Sequence, residues 1–142
     1  MTTLAHQLTI PADLAEVGRV RRAITALLDG QGWPTDAVSG ALLAGNEAVV
    51  NAIEHGSGSR DQVRIALALG PRGLELRVMD EGRTGGVPPR AASRLPPTDA
   101  TRGRGLAIMS ALSDELELRT ATGGGTEARL AFHAPAPVAR AA

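Results

Sequence analysis

Hydrophobic residues recur at helical spacing in the first third of the chain, where they predict two helices. The repeat from residue 14 to residue 28 predicts a first helix, and Asp13 is placed to cap it. A second, longer helix is predicted to begin with Pro34 in its first turn or with Thr35 as its cap. It runs through many small residues to the glycine-rich break at 56–58.

Alternating apolar and polar residues predict five strands, four of them in two hairpins. A short strand is expected at 6–10, a hairpin from 62–69 and 74–79, and a second hairpin from 115–119 and 126–132. Strands and helices in this order indicate an α+β fold. We expect a two-layer sandwich with a mixed, mostly antiparallel sheet and helices on one face.

The stretch from residue 80 to residue 102 has no sustained periodicity and is rich in Gly and Pro. A loop of that length inside a compact domain is either a functional lid or disorder. A short helix is predicted after it, with Gly103 and Gly105 directly before its first turn. One domain is expected over residues 1–133, followed by an Ala/Pro tail at 134–142 that is predicted to be disordered.

Composition narrows the functional classes. The 142 residues suit a single domain, and 15 basic and 15 acidic side chains leave no net charge to attract nucleic acid or an anionic membrane. The absence of Cys excludes disulfides and thiolate metal sites. Every basic residue except His is Arg, so a P-loop lysine is excluded as well. With neither a signal peptide nor a membrane span in the pattern, we expect a cytoplasmic protein.

Glu47 and Asn51 form the first candidate pair. Four residues apart on a helix, they lie on one face and can converge. The Asn51 carbonyl is a suitable magnesium ligand, and the Glu47 carboxylate can accept a proton. Spacing alone more often reflects a solvated helix face, and His55, one turn later, is more often a packed or helix-terminal histidine.

Asp80 and the glycines near residue 104 are further candidates, each with a simpler interpretation. A carboxylate at a strand end can accept from an exocyclic amine such as that of adenine, or it can belong to a plain turn. Gly103 and Gly105 before a helix would present free backbone N–H groups to an anion, with Arg102 and Arg104 as charged donors. An ordinary glycine-rich helix start has the same sequence. The Gly-Gly-Gly-Thr run ending at Thr126 can be no more than a hairpin turn.

The order of these elements resembles that of the GHKL ATPases, which include gyrase, Hsp90, histidine kinases and MutL. Within that group the segment E-A-V-V-N-A-I-E-H, residues 47–55, resembles the E-A-x-x-N-A-x-x-H segment of the anti-sigma-factor serine/threonine-protein kinases. The resemblance covers residues 9–132. One departure is Thr84, which stands where the family's Asp-x-Gly-x-Gly box has its second glycine, and it puts the lid geometry in doubt more than adenine binding.

The resemblance implies ATP and Mg²⁺ as cofactors and assigns the candidate residues. Glu47 would be the catalytic base, Asn51 the magnesium ligand, and Asp80 the adenine-binding carboxylate. The resemblance assigns two further contacts to adenine, Gly82 and Thr126. The residues that it assigns to the phosphates are Gly103, Gly105, Leu106 and either Arg104 or Arg102.

The resemblance also implies a serine protein kinase that acts as an anti-sigma factor. Its substrate would be an anti-anti-sigma protein of the STAS type, its other partner a sigma factor, and its assembly a homodimer. The alternatives are a non-catalytic, ATP-gated binding module, the catalytic domain of a histidine kinase that needs a separate phosphoacceptor chain, and a structural protein without a ligand. The last does not explain the order of the nucleotide-binding elements.

Overall fold

The computed structural model describes residues 2–56, 61–81, 101–120 and 124–136. Within them the chain forms five strands and three α-helices, with a 3-10 turn at Leu14–Glu16 and a π-helical turn at Ala52–Gly56. The elements in chain order are β1 (Leu4–Pro11), α1 (Val17–Leu28), α2 (Thr35–Asn51), β2 (Gln62–Gly70), β3 (Gly73–Met79), α3 (Thr101–Leu112), β4 (Glu115–Thr120) and β5 (Thr126–His133).

The five strands form one sheet in the order β1-β2-β3-β5-β4, and all four pairings are antiparallel. Register places Leu67 of β2 opposite Leu76 of β3, which in turn lies opposite Leu130 of β5. These side chains are buried against the helices, and the residues between them face the other way. The predicted two-layer α+β sandwich is confirmed, with both predicted hairpins and the first strand in place. The predicted sheet was mixed, whereas the described strands pair only in antiparallel fashion.

Helix α2 packs close to the sheet because it has no side chain at Gly45. A Cβ there would lie 2.9 Å from Cδ1 of Ile24 in α1 and 3.2 Å from Cδ2 of Leu76 in β3. The buried side of α2 is otherwise made of Ala and Val. Small residues therefore bring α2 against both neighbours, and its larger polar residues remain on the opposite side.

The sheet face away from the helices carries an ion-pair network centred on Arg129. Nε of Arg129 lies 3.0 Å from Glu75, while its Nη1 lies 3.8 Å from Glu115 and 3.9 Å from Glu117. Burial alone would lower the pKa of Arg129, but the hydrogen bond and charge of Glu75, with the charges of Glu115 and Glu117, raise it overall. The guanidinium therefore stays charged and links β3, β4 and β5.

Two predicted helix starts are wrong. Pro34 is the N-cap of α2 and lies neither in its first turn nor before a Thr35 cap, since Thr35 is already helical. The predicted end of this helix at the glycine-rich break is confirmed, because the α-helix that ends at Asn51 continues as a π-helical turn over Ala52–Gly56. Helix α3 begins at Thr101, so Gly103 and Gly105 lie inside it rather than before it. Asp13 does act as a cap, since its carboxylate accepts from Ala15 N at 2.9 Å, but it caps the 3-10 turn Leu14–Glu16 and not α1, which begins at Val17 with Glu16 as its N-cap.

The C-terminal boundary stays a prediction. Ala134 N donates to Arg72 O at 2.8 Å, so residue 134 is still bonded to the β2–β3 turn. Residues 137–142 of the expected tail lie outside the described part of the chain.

Candidate nucleotide-binding site

The acid–amide pair of α2 lies beside the buried alanine side of the helix, at the edge that faces α3. Ala44 and Ala48 are buried, whereas Glu47 and Asn51 are half-buried. The four-residue spacing puts both polar side chains at the same side of the last two turns. They therefore face α3, the helix that packs most extensively against α2.

Gly105 of α3 lies directly against this pair. A Cβ added at Gly105 would lie 3.2 Å from Oε2 of Glu47, 3.3 Å from Oδ1 of Asn51 and 3.5 Å from its Nδ2. Gly105 is itself buried. The glycine is thus the position at which the backbone of α3 approaches the carboxylate and the amide, and any side chain would fill the space in front of them.

Because α3 begins earlier than predicted, the backbone N–H groups that its start can offer to an anion differ from those expected from the sequence. The N–H groups of the N-cap and of the first three residues of an α-helix have no partner in the helix, and in a helix that begins at Thr101 they include that of Gly103. They also form the positive end of the helix dipole. Arg104 is exposed, and Leu106 is half-buried against the hydrophobic core. The anion-facing end of α3 is therefore its first turn, next to Gly105.

A second group of residues surrounds Asp80 at the end of β3. Asp80 is 9% exposed, and its Oδ1 accepts from the backbone N of Thr126 at 3.1 Å. In return its own N–H donates to the carbonyl oxygen of Thr126 at 3.0 Å. A carboxylate has about four acceptor positions, so this one bond does not exhaust its capacity to accept from a ligand amine. Both residues make further polar interactions.

Gly125 makes this contact possible, and its role was missed from the sequence. Its φ is +86°, and a Cβ there would lie 2.2 Å from the carbonyl oxygen of Asp80. No L-residue fits that space. The Gly-Gly-Gly-Thr run predicts only a hairpin turn, and no local signal in it points to the contact with Asp80.

The two groups are joined by the chain itself. It leaves Asp80 and Glu81 and enters α3 at Thr101, so residues 82–100 connect the carboxylate at the end of β3 to the helix that faces the acid–amide pair. Gly82 and the departure at Thr84 fall in that segment, outside the described residues. The side chains of His55 and Arg102 fall outside them too.

The described residues contain neither a group of metal-ligating side chains nor a membrane-spanning helix. There, no group of three or more His, Cys, Asp or Glu side chains is placed to hold a metal ion. Likewise, none of the described helices is long and apolar enough to cross a membrane.

Comparison with known proteins supports the family that the sequence resembles. The model of the histidine kinase-like ATPase domain matches residues 10–132. Among solved structures, the crystal structure of the RsbU and RsbW domains of Rv1364c from Mycobacterium tuberculosis matches with a TM-score of 0.64 and 22% identity. The alignment covers 94% of this chain but 33% of that one, so the chain spans about a third of its structural neighbour. No curated protein matches the sequence significantly.

The matched segment contains the acid–amide pair of α2, the carboxylate that ends β3, the glycine of α3 and the final hairpin, and it makes up most of the chain. The chain belongs to the histidine kinase-like ATPase domain family.

Proposed function

We propose that this chain is an ATP-dependent serine protein kinase that acts as an anti-sigma factor. The observation that carries the proposal is the position of Gly105, whose absent side chain leaves Glu47 and Asn51 facing the first turns of α3. A carboxylate, an amide and a helix N-terminus then border one space. That combination suits a triphosphate with its metal, because it supplies a hard oxygen ligand, backbone donors and a base.

Asn51 is the proposed protein ligand of Mg²⁺. Its amide group faces Gly105, with Oδ1 at 3.3 Å and Nδ2 at 3.5 Å from the position of a Cβ there, and amide oxygens are among the hard ligands that Mg²⁺ accepts. Magnesium commonly keeps several waters and takes its other ligands from substrate phosphates, so one or two protein ligands are sufficient. When bound, the ion neutralises the charge that develops on the β- and γ-phosphate oxygens.

Asp80 is the proposed recognition group for adenine. Its carboxylate is largely buried, and the backbone of Thr126 fixes the position of its Oδ1. A buried acceptor held in place favours a base with an exocyclic amine, because a base that lacks the donor cannot hydrogen-bond to it. We assign Thr126 and Gly82 to the same end of the site. We assign to the phosphate end of the site Gly103, Arg104, Gly105 and Leu106.

In the proposed reaction, Glu47 accepts the proton of a serine hydroxyl on the docked substrate. The serine oxygen forms a bond to the γ-phosphorus as the bond from that phosphorus to the β–γ bridging oxygen breaks, and ADP leaves with the electron pair. Arg104 and the first turn of α3 stabilise the negative charge on the phosphoryl oxygens. Positioning and charge stabilisation provide most of the rate in such transfers, with the base a smaller contribution.

We propose a STAS-type anti-anti-sigma protein as the substrate and a sigma factor as the second partner. The support is the resemblance of residues 47–55 to the anti-sigma-factor kinases, together with a fold shared with a structure that contains an RsbW domain. A homodimer and a cytoplasmic location belong to the same proposal. Neither nucleic acid nor a membrane is a proposed partner.

Glu47→Gln tests the kinase assignment. The substitution keeps the size of the side chain but removes the base, so we expect phosphotransfer to a purified STAS partner to fall by about a hundredfold or more. ATP affinity should change by roughly threefold at most, because the groups that bind the nucleotide remain. The matched control is Asp36→Asn, the same chemical change at an exposed site in the first turn of α2.

Two results would contradict this proposal, the first for the role of Glu47 and the second for the kinase activity. Wild-type transfer by Glu47→Gln would show that Glu47 is not the base. If the wild-type chain binds ATP and a partner but transfers no labelled phosphate to any STAS candidate, the non-catalytic ATP-gated module is the correct function.

A further inference from the structure

The proposed base Glu47 lies between two rows of side chains on the surface of α2. With about 100° of rotation per residue, Asn51 and Ala44 lie on one side of Glu47, the side that faces α3 and the core. Leu43 and Val50 lie on its other side, at about 40° and 60° from it. The proposed metal and phosphates occupy the first side, against α3. The second side is therefore the one left for the hydroxyl of a protein substrate.

Leu43 is an exposed apolar side chain on this second side. It is 47% exposed, although every other Leu and Val of α2 packs in or against the core. Residues four apart on a helix have their Cβ atoms about 6 Å from each other, so Leu43 lies one turn from Glu47. A single exposed leucine is common on protein surfaces, and the inference depends on the position of this one beside the base.

We propose that Leu43 is a specificity-determining residue for the substrate protein, which contacts an apolar side chain within two positions of the phosphorylated serine. The inference rests on the proposed kinase function, because the base fixes where the serine lies. When the serine hydroxyl donates to Glu47, two residues of extended chain, at about 3.3 Å each, span the distance of about 6 Å to Leu43. An apolar side chain at that position buries apolar surface against Leu43 and a polar one does not, so substrates with the apolar residue bind more tightly.

Leu43→Ser tests this contact in the phosphotransfer assay, with the STAS-type protein that the wild-type chain phosphorylates as the probe. We expect the KM for that protein to rise by about fivefold, because the apolar surface of one half-exposed leucine is no longer buried on docking. The kcat and the Kd for Mg-ATP should stay within about twofold of the wild-type values, since Glu47 and Asn51 are unchanged. A general structural defect would instead lower kcat or ATP affinity.

The matched control is Leu14→Ser, the same chemical change at another exposed leucine. Leu14 is 51% exposed and lies in the 3-10 turn before α1, outside both helices that border the proposed site. We expect the KM, the kcat and the ATP affinity of this variant to stay within about twofold of the wild-type values, because exposed single substitutions away from a contact have small effects.

A charge exchange tests the same contact from the side of the substrate. The phosphorylated serine is located by mass spectrometry, and the apolar residue within two positions of it is changed to Glu. The wild-type chain should bind this substrate variant about tenfold more weakly, because a carboxylate would then lie against Leu43. Leu43→Arg should phosphorylate the variant with a KM about threefold lower than the wild-type chain does, since it supplies an opposite charge.

Four results would overturn the inference and leave the kinase assignment intact. They are a wild-type KM in Leu43→Ser, an equal rise of KM in Leu14→Ser, a phosphorylated serine with no apolar residue within two positions, and no gain by Leu43→Arg on the Glu-containing substrate. If the wild-type chain phosphorylates no STAS-type protein at all, the proposed function is wrong and the inference is overturned with it.

Discussion

Gly105→Ala adds one methyl group at the contact between α3 and the acid–amide pair. The new carbon would lie 3.2 Å from Oε2 of Glu47 and 3.3 Å from Oδ1 of Asn51. Both distances are a few tenths of an ångström shorter than an ordinary carbon contact of about 3.5 Å or more. Because both side chains are half-buried, we expect them to turn away rather than force the helices apart.

Two effects on folding therefore oppose each other in Gly105→Ala. Replacing Gly by Ala inside a helix stabilises the fold by roughly 0.5–1 kcal/mol, and the local crowding removes part of that gain. A change of 1 kcal/mol corresponds to about 2–4 °C in the melting temperature of a domain somewhat larger than this one, and to more in smaller domains. We expect a melting temperature close to that of the wild type.

The ATP affinity of Gly105→Ala, unlike its melting temperature, should fall. The methyl group occupies the space in which the metal and phosphate oxygens would meet Asn51, so we expect Mg²⁺-dependent ATP affinity to fall by about tenfold or more, or roughly 1.4 kcal/mol. Calorimetric titration with Mg-ATP measures this, and thermal unfolding, followed by the fluorescence of the one tryptophan, checks the fold.

The control for Gly105→Ala is Gly40→Ala. Gly40 lies within α2, and nothing is within 4 Å of the position of its Cβ. That variant should gain the helix stabilisation and keep its ATP affinity. Wild-type affinity in Gly105→Ala would refute the argument that Gly105 is required because of the site it borders.

Four further substitutions test other contacts. Gly125→Ala should lower the free energy of unfolding in urea by about 3 kcal/mol or more, because φ is +86° and the Cβ would lie 2.2 Å from the carbonyl oxygen of Asp80. Gly124→Ala is its control: φ is +97° but the Cβ would lie in open space, so we expect a loss of about 1 kcal/mol. Gly45→Ala should destabilise by about 1–3 kcal/mol, since its Cβ would overlap Ile24 at 2.9 Å. Asp80→Asn should reduce ATP affinity by about tenfold or more while costing roughly 1 kcal/mol of stability, and a Kd unchanged by it would remove Asp80 from the adenine site.

The strands were predictable because each of them buries one face. Val63, Ile65, Leu67 and Leu69 alternate with polar or small residues, and in the sheet these four are buried while their neighbours are not. A period of two has no other stable arrangement in a two-layer fold. Local sequence also determined the cap at Asp13, which depends on bonds within two residues.

The start of α3 was not predictable from local sequence. Gly103 and Gly105 have low helix propensity, which favours a helix that begins after them. In the structure α3 begins at Thr101 and packs along α2, and tertiary packing of this kind outweighs the propensity of two residues. Gly105 also allows the close approach to Glu47 and Asn51.

The site was predictable as a set of residues but not as contacts. Glu47 and Asn51 share a face by helical periodicity, so their pairing follows from the sequence. The bond between Asp80 and Thr126 joins residues 46 apart, and it exists because β5 pairs with β3 at the centre of the sheet. Strand order in a sheet depends on the whole fold, so the role of Gly125 could not be found from its own neighbourhood.

The central claim is that the acid–amide pair and Gly105 border one ATP site. Its most direct test is calorimetric titration of ATP into the wild-type chain and Asn51→Ala, each with and without Mg²⁺. The account predicts one site per chain in the wild type, strengthened by Mg²⁺, and loss of that Mg²⁺ dependence in a variant that remains folded. Absence of ATP binding in the wild type, or the same Mg²⁺ dependence in both proteins, would contradict it.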